Sequence, residues 1–278
     1  MLGRRPRRDA MEPALVVTAL WLAFGGTHVG LAAAPIRGAL VQRLGARGFG
    51  LVFSAVAAIT FALLVHYYAE HRFEGARGLA LGEVAWIRWS AIAAIAAGVT
   101  LLPSSLFSYP TTPYALFREE TEHEARGIER VTRHPFLAAM ALFALGHVLL
   151  ATHLVGTVFA AGFSVLVIGG ALHQDRKLAA EKGPAFGRYV ASTSGIPFLA
   201  ILRGDQRLVA RELPWGMLAL GFVLALVLRS VHDSIFASGG VWVIAVVLGG
   251  AAVEVVQSLR RASRRRVRRG DEEAPAVT

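Results

Sequence analysis

Two histidines lie well inside long apolar runs of this sequence, at positions 28 and 147. A histidine at membrane depth is costly unless it has a partner. Each is surrounded by small residues, which are Gly25, Gly26 and Gly30 around His28, and Ala144, Gly146 and Ala151 around His147. Small neighbours would make room for a flat macrocycle, and two neutral imidazoles would supply its axial ligands. Alternatively, each histidine bridges two helices by a hydrogen bond, and the small residues serve close packing.

A second polar feature precedes the apolar run at 136–153. Pro135 suits the first position of a helix, and the residue before a proline is driven out of the α region, so His134 is expected at the cap. Arg133 and His134 would then place cationic groups at the positive end of a helix dipole, where an anion is favoured. His173 and Asp175 end a later apolar run. The four side chains would form a polar cluster able to hold a propionate or another anion, although ordinary capping and snorkelling would give the same pattern.

The elements that must position these residues are membrane helices. The chain has 278 residues, is 55% hydrophobic and 17% charged, and has a mean hydropathy of +0.52. Its apolar residues come in blocks close to the length that spans a bilayer. We therefore predict an all-α integral membrane protein with a bundle of about seven (six to seven) transmembrane helices. The apolar segments are 13–34, 48–68, 84–106, 136–151, 155–173, 214–229 and 239–257.

Charge and cysteine content exclude several classes of function. The net charge of +10 is concentrated in two basic tails, Arg4 to Arg8 and Arg260 to Arg269. Without a recognition motif, such tails favour anionic lipid over nucleic acid. The absence of cysteine excludes disulfides, thiolate ligands and a cysteine nucleophile. The basic connections predict a bacterial-type inner or plasma membrane protein with its N-terminus outside and its C-terminus in the cytoplasm. Met11 is an alternative start to Met1.

The remaining polar residues are expected at the surface. An acidic patch reads as a solvated helix face; it consists of Glu119, Glu120, Glu122, Glu124 and Glu129. The other histidines, His66, His71, His123, His153 and His232, are expected to be solvated. Counted along their helices, His28 lies about 8 Å and His147 about 18 Å from the cytoplasmic face. Tilt must remove most of that gap, or a bound ring would pair one of them with another histidine.

Several longer motifs make the chain resemble the NnrU family, which includes the zeta-carotene isomerases of plants and cyanobacteria. The motifs are GTHVGLAAAPIRGALVQRLGARGFGLVFS, GIERVTRHPFLAAMALFALGHVLL, HQDRKL and TSGIPFLAILRGDQRL, with AEHRFEGA resembling the isomerase branch. The resemblance implies a membrane-embedded heme b with axial histidines at the positions of His28 and His147. It also matches His71 and His134 to family histidines. Arg37, Arg133 and Asp175 are the further candidates for binding the cofactor, with His173 ranked lower.

The resemblance implies a redox-gated cis–trans isomerase of a lipophilic polyene. Its expected partners are membrane lipid, the lipophilic substrate and an electron donor. Isomerase-type members can carry a cysteine where this chain has Ala144, so no thiolate can substitute as a ligand here. The implied organisation is a basic segment at 1–12, an NnrU-like transmembrane domain at 13–208, two additional helices at 209–258, and a basic, then acidic, disordered cytoplasmic tail at 259–278.

Two alternatives stay open. The Arg133-His134-Pro135 motif, Asp175-Arg176 and the Phe186/Tyr189 pair also resemble the isoprenylcysteine and phospholipid methyltransferases, in which the helix cap would hold the carboxylate of S-adenosylmethionine. That resemblance gives no role to His28. The other alternative is a non-enzymatic heme-carrying membrane protein related to nitrogen-oxide metabolism, which would share the ligands and lack substrate turnover.

Overall fold

The computed structural model describes residues 5–108, 123–250 and 252, and the residues described form helices joined by short connections, with no strand. The helices are α1 (Arg5–Ala32), α2 (Ala34–His71), α3 (Ala85–Pro103), α4 (Pro135–Leu150), α5 (Leu154–Lys182), α6 (Pro184–Ala191), α7 (Leu199–Arg203), α8 (Trp215–Ser230) and α9 (Val241–Gly250). A π-helical turn, Ser104–Ser108, extends α3. The all-helical prediction is confirmed for this part of the chain.

Each of the seven apolar segments predicted from the sequence overlaps a helix, although residues 251 and 253–257 of the last segment lie outside the described residues. Four stretches are long and apolar enough to cross a membrane; they are Ala10–Ala32, Pro35–His71, Ala85–Leu106 and Leu154–Lys182. Three helices are apolar but shorter, namely α4, α8 and α9 as far as it is described. The protein is therefore an all-helical membrane protein, and the number of helices that cross the bilayer remains a prediction.

The largest difference from the sequence-based assignment is at the start of α2. The predicted apolar segments end at 34 and begin again at 48, but the connection between them is helical from Ala34 onward. Gly45 breaks this helix, with φ 71° and ψ 165°. Glycine adopts positive φ without the steric cost that a side chain imposes. The break at Gly45 therefore separates a basic helical segment from the apolar segment that follows.

One compact unit contains residues 5–26 and the described residues between 71 and 232. In it, α4 packs against both α3 and α5, and α3 packs against α8. Glycines allow the close approaches. A Cβ on Gly98 would lie 2.5 Å from the carbonyl oxygen of Ala139, and one on Gly221 would lie 2.2 Å from that of Thr100. In lipid, the hydrophobic effect does not drive helices together. Small residues at the contacts let the helix backbones approach closely, and this packing stabilises their association.

The connections of this unit come together in two groups. Gly78 donates its backbone N–H to Thr152 at 2.9 Å, and Leu154 donates to Ala76 at 2.7 Å. These bonds join the second and fourth connections, and Ala76 also donates to Ala10 near the start of α1. At the other group, Arg133 donates to Ser194 at 2.8 Å, which joins the third and fifth connections. The topology inferred from charge assigns the segments to the same two groups, although which group is cytoplasmic remains a prediction.

An apolar turn follows α6 in the same unit. Its backbone is tied down, because Phe198 donates its N–H to Val131 at 2.8 Å. Phe198 has φ 65° and ψ −7°, a left-handed conformation that is uncommon for a bulky residue. Ile196, Phe198 and Leu202 nevertheless expose 64%, 51% and 81% of their surface. The fold thus holds a strained turn whose apolar side chains point away from its own core.

The second unit contains residues 27–70 and the described residues from 233 onward. The end of α2 packs against the chain that leads into α9. A Cβ on Gly240 would lie 2.7 Å from Val65, and the rings of Tyr68 and Phe236 meet edge to face at 5.2 Å. His66 is exposed, as expected from the sequence, and its ring nitrogen Nδ1 lies 3.3 Å from the carbonyl oxygen of Gly239.

Candidate functional site

The polar cluster predicted at the start of α4 exists. Pro135 occupies the first helical position, and His134 is the cap residue, with φ −120° and ψ 64°. Arg133 makes a fork-shaped ion pair with Asp175 of α5, in which Nε lies 3.0 Å and Nη2 lies 2.5 Å from the same oxygen, Oδ2. His134 Nε2 lies 2.9 Å from Asp175 Oδ1. The sequence-based prediction that these three side chains meet is therefore correct.

Asp175 is itself the anion of this cluster. Its carboxylate accepts bonds from the Arg133 guanidinium and the His134 imidazole, and only 15–19% of the Arg133 and Asp175 side chains is exposed. Charge-assisted bonds of this kind are about twice as strong as neutral ones. The Arg133 guanidinium also reaches the carbonyl oxygen of Thr193 at 3.4 Å. The cluster therefore joins the start of α4, the end of α5 and the connection after α6.

His134 has an unusual environment. Its side chain is 2% exposed, and among the described residues its Nδ1 has no hydrogen-bond partner. With Asp175 accepting from Nε2–H, a neutral His134 carries an unshared lone pair at Nδ1. A carboxylate that orients an imidazole in this way is the arrangement found in general bases. In that tautomer, Nδ1 is the ring atom left to accept a hydrogen bond.

A second buried pair was missed by the sequence analysis. Glu129 and His123 were expected to be solvated, and both expectations are wrong. The Glu129 side chain is 2% and the His123 side chain 3% exposed, with Oε2 and Nε2 2.8 Å apart. The backbone N–H of Arg126 donates to the same oxygen at 3.2 Å. A carboxylate is tolerated in a protein interior when it is paired and hydrogen-bonded, which a helix-face pattern in the sequence cannot reveal.

The rest of the acidic patch is divided. Glu124 is exposed, as expected, whereas Glu119, Glu120 and Glu122 lie outside the described residues. Tyr189 of α6 lies beside the buried pair, with its ring 5.7 Å from that of His123. Burial, the largest cause, and the Glu129 carboxylate raise the pKa of the Tyr189 phenol well above its ordinary value. Tyr189 is therefore a neutral phenol at any physiological pH.

Arg130, which also precedes α4, forms another ion pair. Arg130 Nε lies 2.9 Å from Glu212 Oε2, and the backbone N–H of Gly127 donates to that oxygen at 2.9 Å. Arg130 Nη1 also donates to Gln206 at 2.7 Å. The hydrogen bond from Arg130 lowers the pKa of the Glu212 carboxyl below its ordinary value, and the same bond raises the pKa of Arg130. Side chains at 129, 130 and 133 thus each bind a partner elsewhere in the chain, which holds the segment from 127 to 134 in place.

His147 lies one turn before the end of α4 and is partly buried. Its Nδ1 lies 2.8 Å from the carbonyl oxygen of Phe143, four residues earlier. A carbonyl can only accept, so Nδ1 carries the proton and Nε2 carries the lone pair. Metal-binding histidines commonly have this arrangement, in which a backbone carbonyl fixes the tautomer and the ring orientation. The ring of His232 lies 6.3 Å from that of His147, with an angle of 16° between the planes.

The small residues beside His147 serve packing. A Cβ on Gly146 would lie 2.5 Å from Ile95 and 2.8 Å from the carbonyl oxygen of Ala91, both on α3. Ala144 is also buried. The alternative interpretation of these residues, close helix contact, is therefore the correct one for Gly146.

His28 lies in the second unit. Its side chain is partly buried, and its ring lies 5.0 Å from that of Phe53. Within the part of the chain that is described, a Cβ on Gly25, Gly26 or Gly30 would meet nothing within 4 Å. Open space therefore lies beside these glycines, which is what the macrocycle interpretation requires.

The remaining candidate residues are not part of the Arg133–Asp175 cluster. Arg37, in the second unit, lies over the Phe49 ring at 5.6 Å. His173 is exposed, and His71 is the partly buried last residue of α2. Among the described residues, no group of three or more histidines, aspartates or glutamates converges as a metal site.

Comparisons with known proteins agree with this architecture. Two curated 15-cis-zeta-carotene isomerases of chloroplasts are similar to the chain. The Arabidopsis thaliana protein is 28% identical over 200 residues, and the Zea mays protein is 25% identical over 205 residues. Each match covers 70% of this chain and 52% of the relative, so the chain spans about half the length of these relatives. No solved structure matches. The model of the NnrU protein family matches residues 16–247, which include α2 to α8 and every cluster described above, and the chain belongs to the NnrU family.

Proposed function

We propose that this protein is a membrane-embedded cis–trans isomerase of a lipophilic polyene, with a heme b held by His28 and His147. Family membership and the two isomerase relatives support the reaction class. The observation that carries the cofactor assignment is the hydrogen bond from His147 Nδ1 to Phe143, because it leaves the Nε2 lone pair for a metal. When bound, the heme would supply a redox-active iron with which a polyene double bond could interact.

The residues present fit a heme b. His147 has the tautomer of a metal ligand and lies on α4, which is packed on two sides. Gly25 lies three residues before His28 on the same helix face, and a Cβ there would meet nothing within 4 Å among the described residues. With no cysteine in the chain, imidazoles are the strong axial ligands that the sequence offers.

The Arg133–His134–Asp175 cluster would act on the site through α4. It fixes the first turn of the helix, and His147 lies three turns further along the same rigid element. Arg133, His134, Asp175 and Arg37 remain our candidates for contacts to the cofactor's propionates, with His173 and His71 ranked lower. Since Arg133 and His134 already bind Asp175, a propionate there would have to share their donors.

The proposed setting follows from hydropathy and charge. The protein would lie in a bacterial-type inner or plasma membrane, take its substrate from membrane lipid and receive electrons from a donor. A lipophilic polyene would reach a site among apolar helices without entering water. No nucleic acid partner is proposed.

The first experiment is an optical spectrum of the purified, heme-supplemented chain. We expect a Soret band, a heme content near one per chain and a low-spin ferric spectrum. His147→Ala should abolish the low-spin signal, and His28→Ala should shift the Soret maximum because the iron loses that imidazole. The exposed His66 provides the matched control, and His66→Ala should leave the spectrum unchanged. A wild-type chain without a Soret band would overturn the cofactor assignment.

The second experiment measures turnover. The reduced, heme-loaded chain in lipid vesicles should convert 15-cis-zeta-carotene, the substrate in the names of the two relatives, and His147→Ala should not. A heme-loaded chain that converts no polyene would favour the non-enzymatic alternative. Transfer of a labelled methyl group from S-adenosylmethionine would instead support the methyltransferase alternative, for which Arg133 would have to release Asp175.

A further inference from the structure

A second imidazole lies close to His147 within its own unit. The ring centroids of His147 and His232 are 6.3 Å apart, and the ring planes are 16° from parallel. Metal–nitrogen bonds to imidazole are about 2.0–2.1 Å long. Two imidazoles on opposite sides of one metal therefore have ring centroids about 6 Å apart, given those bonds. The observed centroid separation of 6.3 Å is close to this value.

The residues and helices that position the two rings are consistent with metal binding by both. Nδ1 of His147 is held by the Phe143 carbonyl, which leaves Nε2 as the donor atom. His232 begins a short 3₁₀ turn, His232–Ser234, directly after α8. Because α8 packs on α3 and α3 packs on α4, both histidines belong to one contiguous set of helices.

The sequence gives a separate reason to look for another histidine beside His147. His28 and His147 differ by about 10 Å in their depth along the predicted helices, at about 1.5 Å per residue. A ring bound to both would need a tilt that removes this gap. His232 needs no such adjustment to reach His147, because the structure already brings the two imidazoles together.

We propose that His232 is an additional axial ligand for an iron bound by His147, competing with His28 for the position opposite His147. This inference rests on the heme of the proposed function. The turn after α8 would then supply a replacement ligand. The iron would keep a second imidazole, that of His232, when His28 is absent.

The test compares the ferric spectra of four heme-supplemented chains: wild type, His28→Ala, His232→Ala and the His28→Ala/His232→Ala double variant. Electron paramagnetic resonance and optical spectra report the spin state independently of turnover. We expect His28→Ala to stay low-spin with altered g values, and the double variant to become high-spin or to lose heme. Added imidazole should restore the low-spin signal of the double variant.

The control uses another histidine of the same unit. His153 precedes α5, and its ring faces Phe73 at 6.2 Å. The double variant His28→Ala/His153→Ala should remain low-spin, as His28→Ala does. A His28→Ala chain that is already high-spin or heme-free would overturn the inference and leave the His28–His147 pair intact. A wild-type chain that takes up no heme would overturn the proposed function and this inference together.

Discussion

At the scale of single residues, Asp175 holds the two side chains that precede α4, Arg133 and His134. It accepts bonds from Arg133 and His134, and replacing it with asparagine would remove the charge that both donors face. Breaking a largely buried pair from one side is costly because the remaining charge stays desolvated. The consequence is greatest for His134, whose other ring nitrogen is already without a described partner.

We expect Asp175→Asn to destabilise the protein by about 1–3 kcal/mol, the range for an unsatisfied buried group. Thermal unfolding in detergent, followed by circular dichroism, would measure the change. The control is Lys177→Gln on the same helix, since Lys177 and Glu181 are 3.8 Å apart and nearly half exposed. Exposed pairs contribute little, so this variant should unfold at the wild-type temperature. Equal losses in the two variants would contradict the prediction.

Glu212 gives a prediction about pH. Its pKa is lowered in the folded protein by the hydrogen bond from Arg130. A carboxyl with a lowered folded-state pKa stabilises the protein above its unfolded pKa, and the contribution disappears as the pH falls through the folded value. Wild type should therefore be more stable than Glu212→Gln at pH 7, and the difference should vanish in acid, below the ordinary pKa of 4.5. Unfolding temperatures of the two chains across this range would test it, and a constant difference would refute it.

At the scale of helices, packing of α4 on α3 depends on glycine. A Cβ at position 146 would meet Ile95 and the carbonyl oxygen of Ala91 at distances that real Cβ atoms do not show. Overpacking of this kind typically costs about 1–3 kcal/mol. We expect Gly146→Ala to lower the unfolding temperature and to weaken heme binding. Gly169→Ala on α5, where nothing lies within 4 Å among the described residues, should change neither property.

Features that depend on neighbouring residues in the chain, such as the start of α4, could be predicted from the sequence. Pro135 and His134 were placed correctly because proline restricts its own φ and that of its predecessor. The role of Gly146 was left open, since a glycine that makes room and one that permits contact look alike in a sequence. The Glu129–His123 pair was missed because burial of a carboxylate depends on tertiary contacts. The Arg130–Glu212 bond joins residues 82 positions apart, a separation no local pattern encodes.

At the scale of the whole molecule, the topology can be tested directly because the chain lacks cysteine. Ser230, the last residue of α8, and Ala180, near the end of α5, are exposed positions that the charge distribution assigns to opposite sides. A membrane-impermeant maleimide should label Ser230→Cys in intact cells and Ala180→Cys only after the membrane is opened. The reverse pattern would invert the proposed orientation, and labelling of both in intact cells would reject it.

The close contact at Gly146 has a consequence for any reaction at the neighbouring residue. The α4 backbone at Gly146 is in close contact with α3, so this part of α4 has little room to shift. If His147 holds the proposed cofactor, we expect any change of the ligand opposite it to come from movement of the elements that carry His28 and His232, while α4 keeps its position.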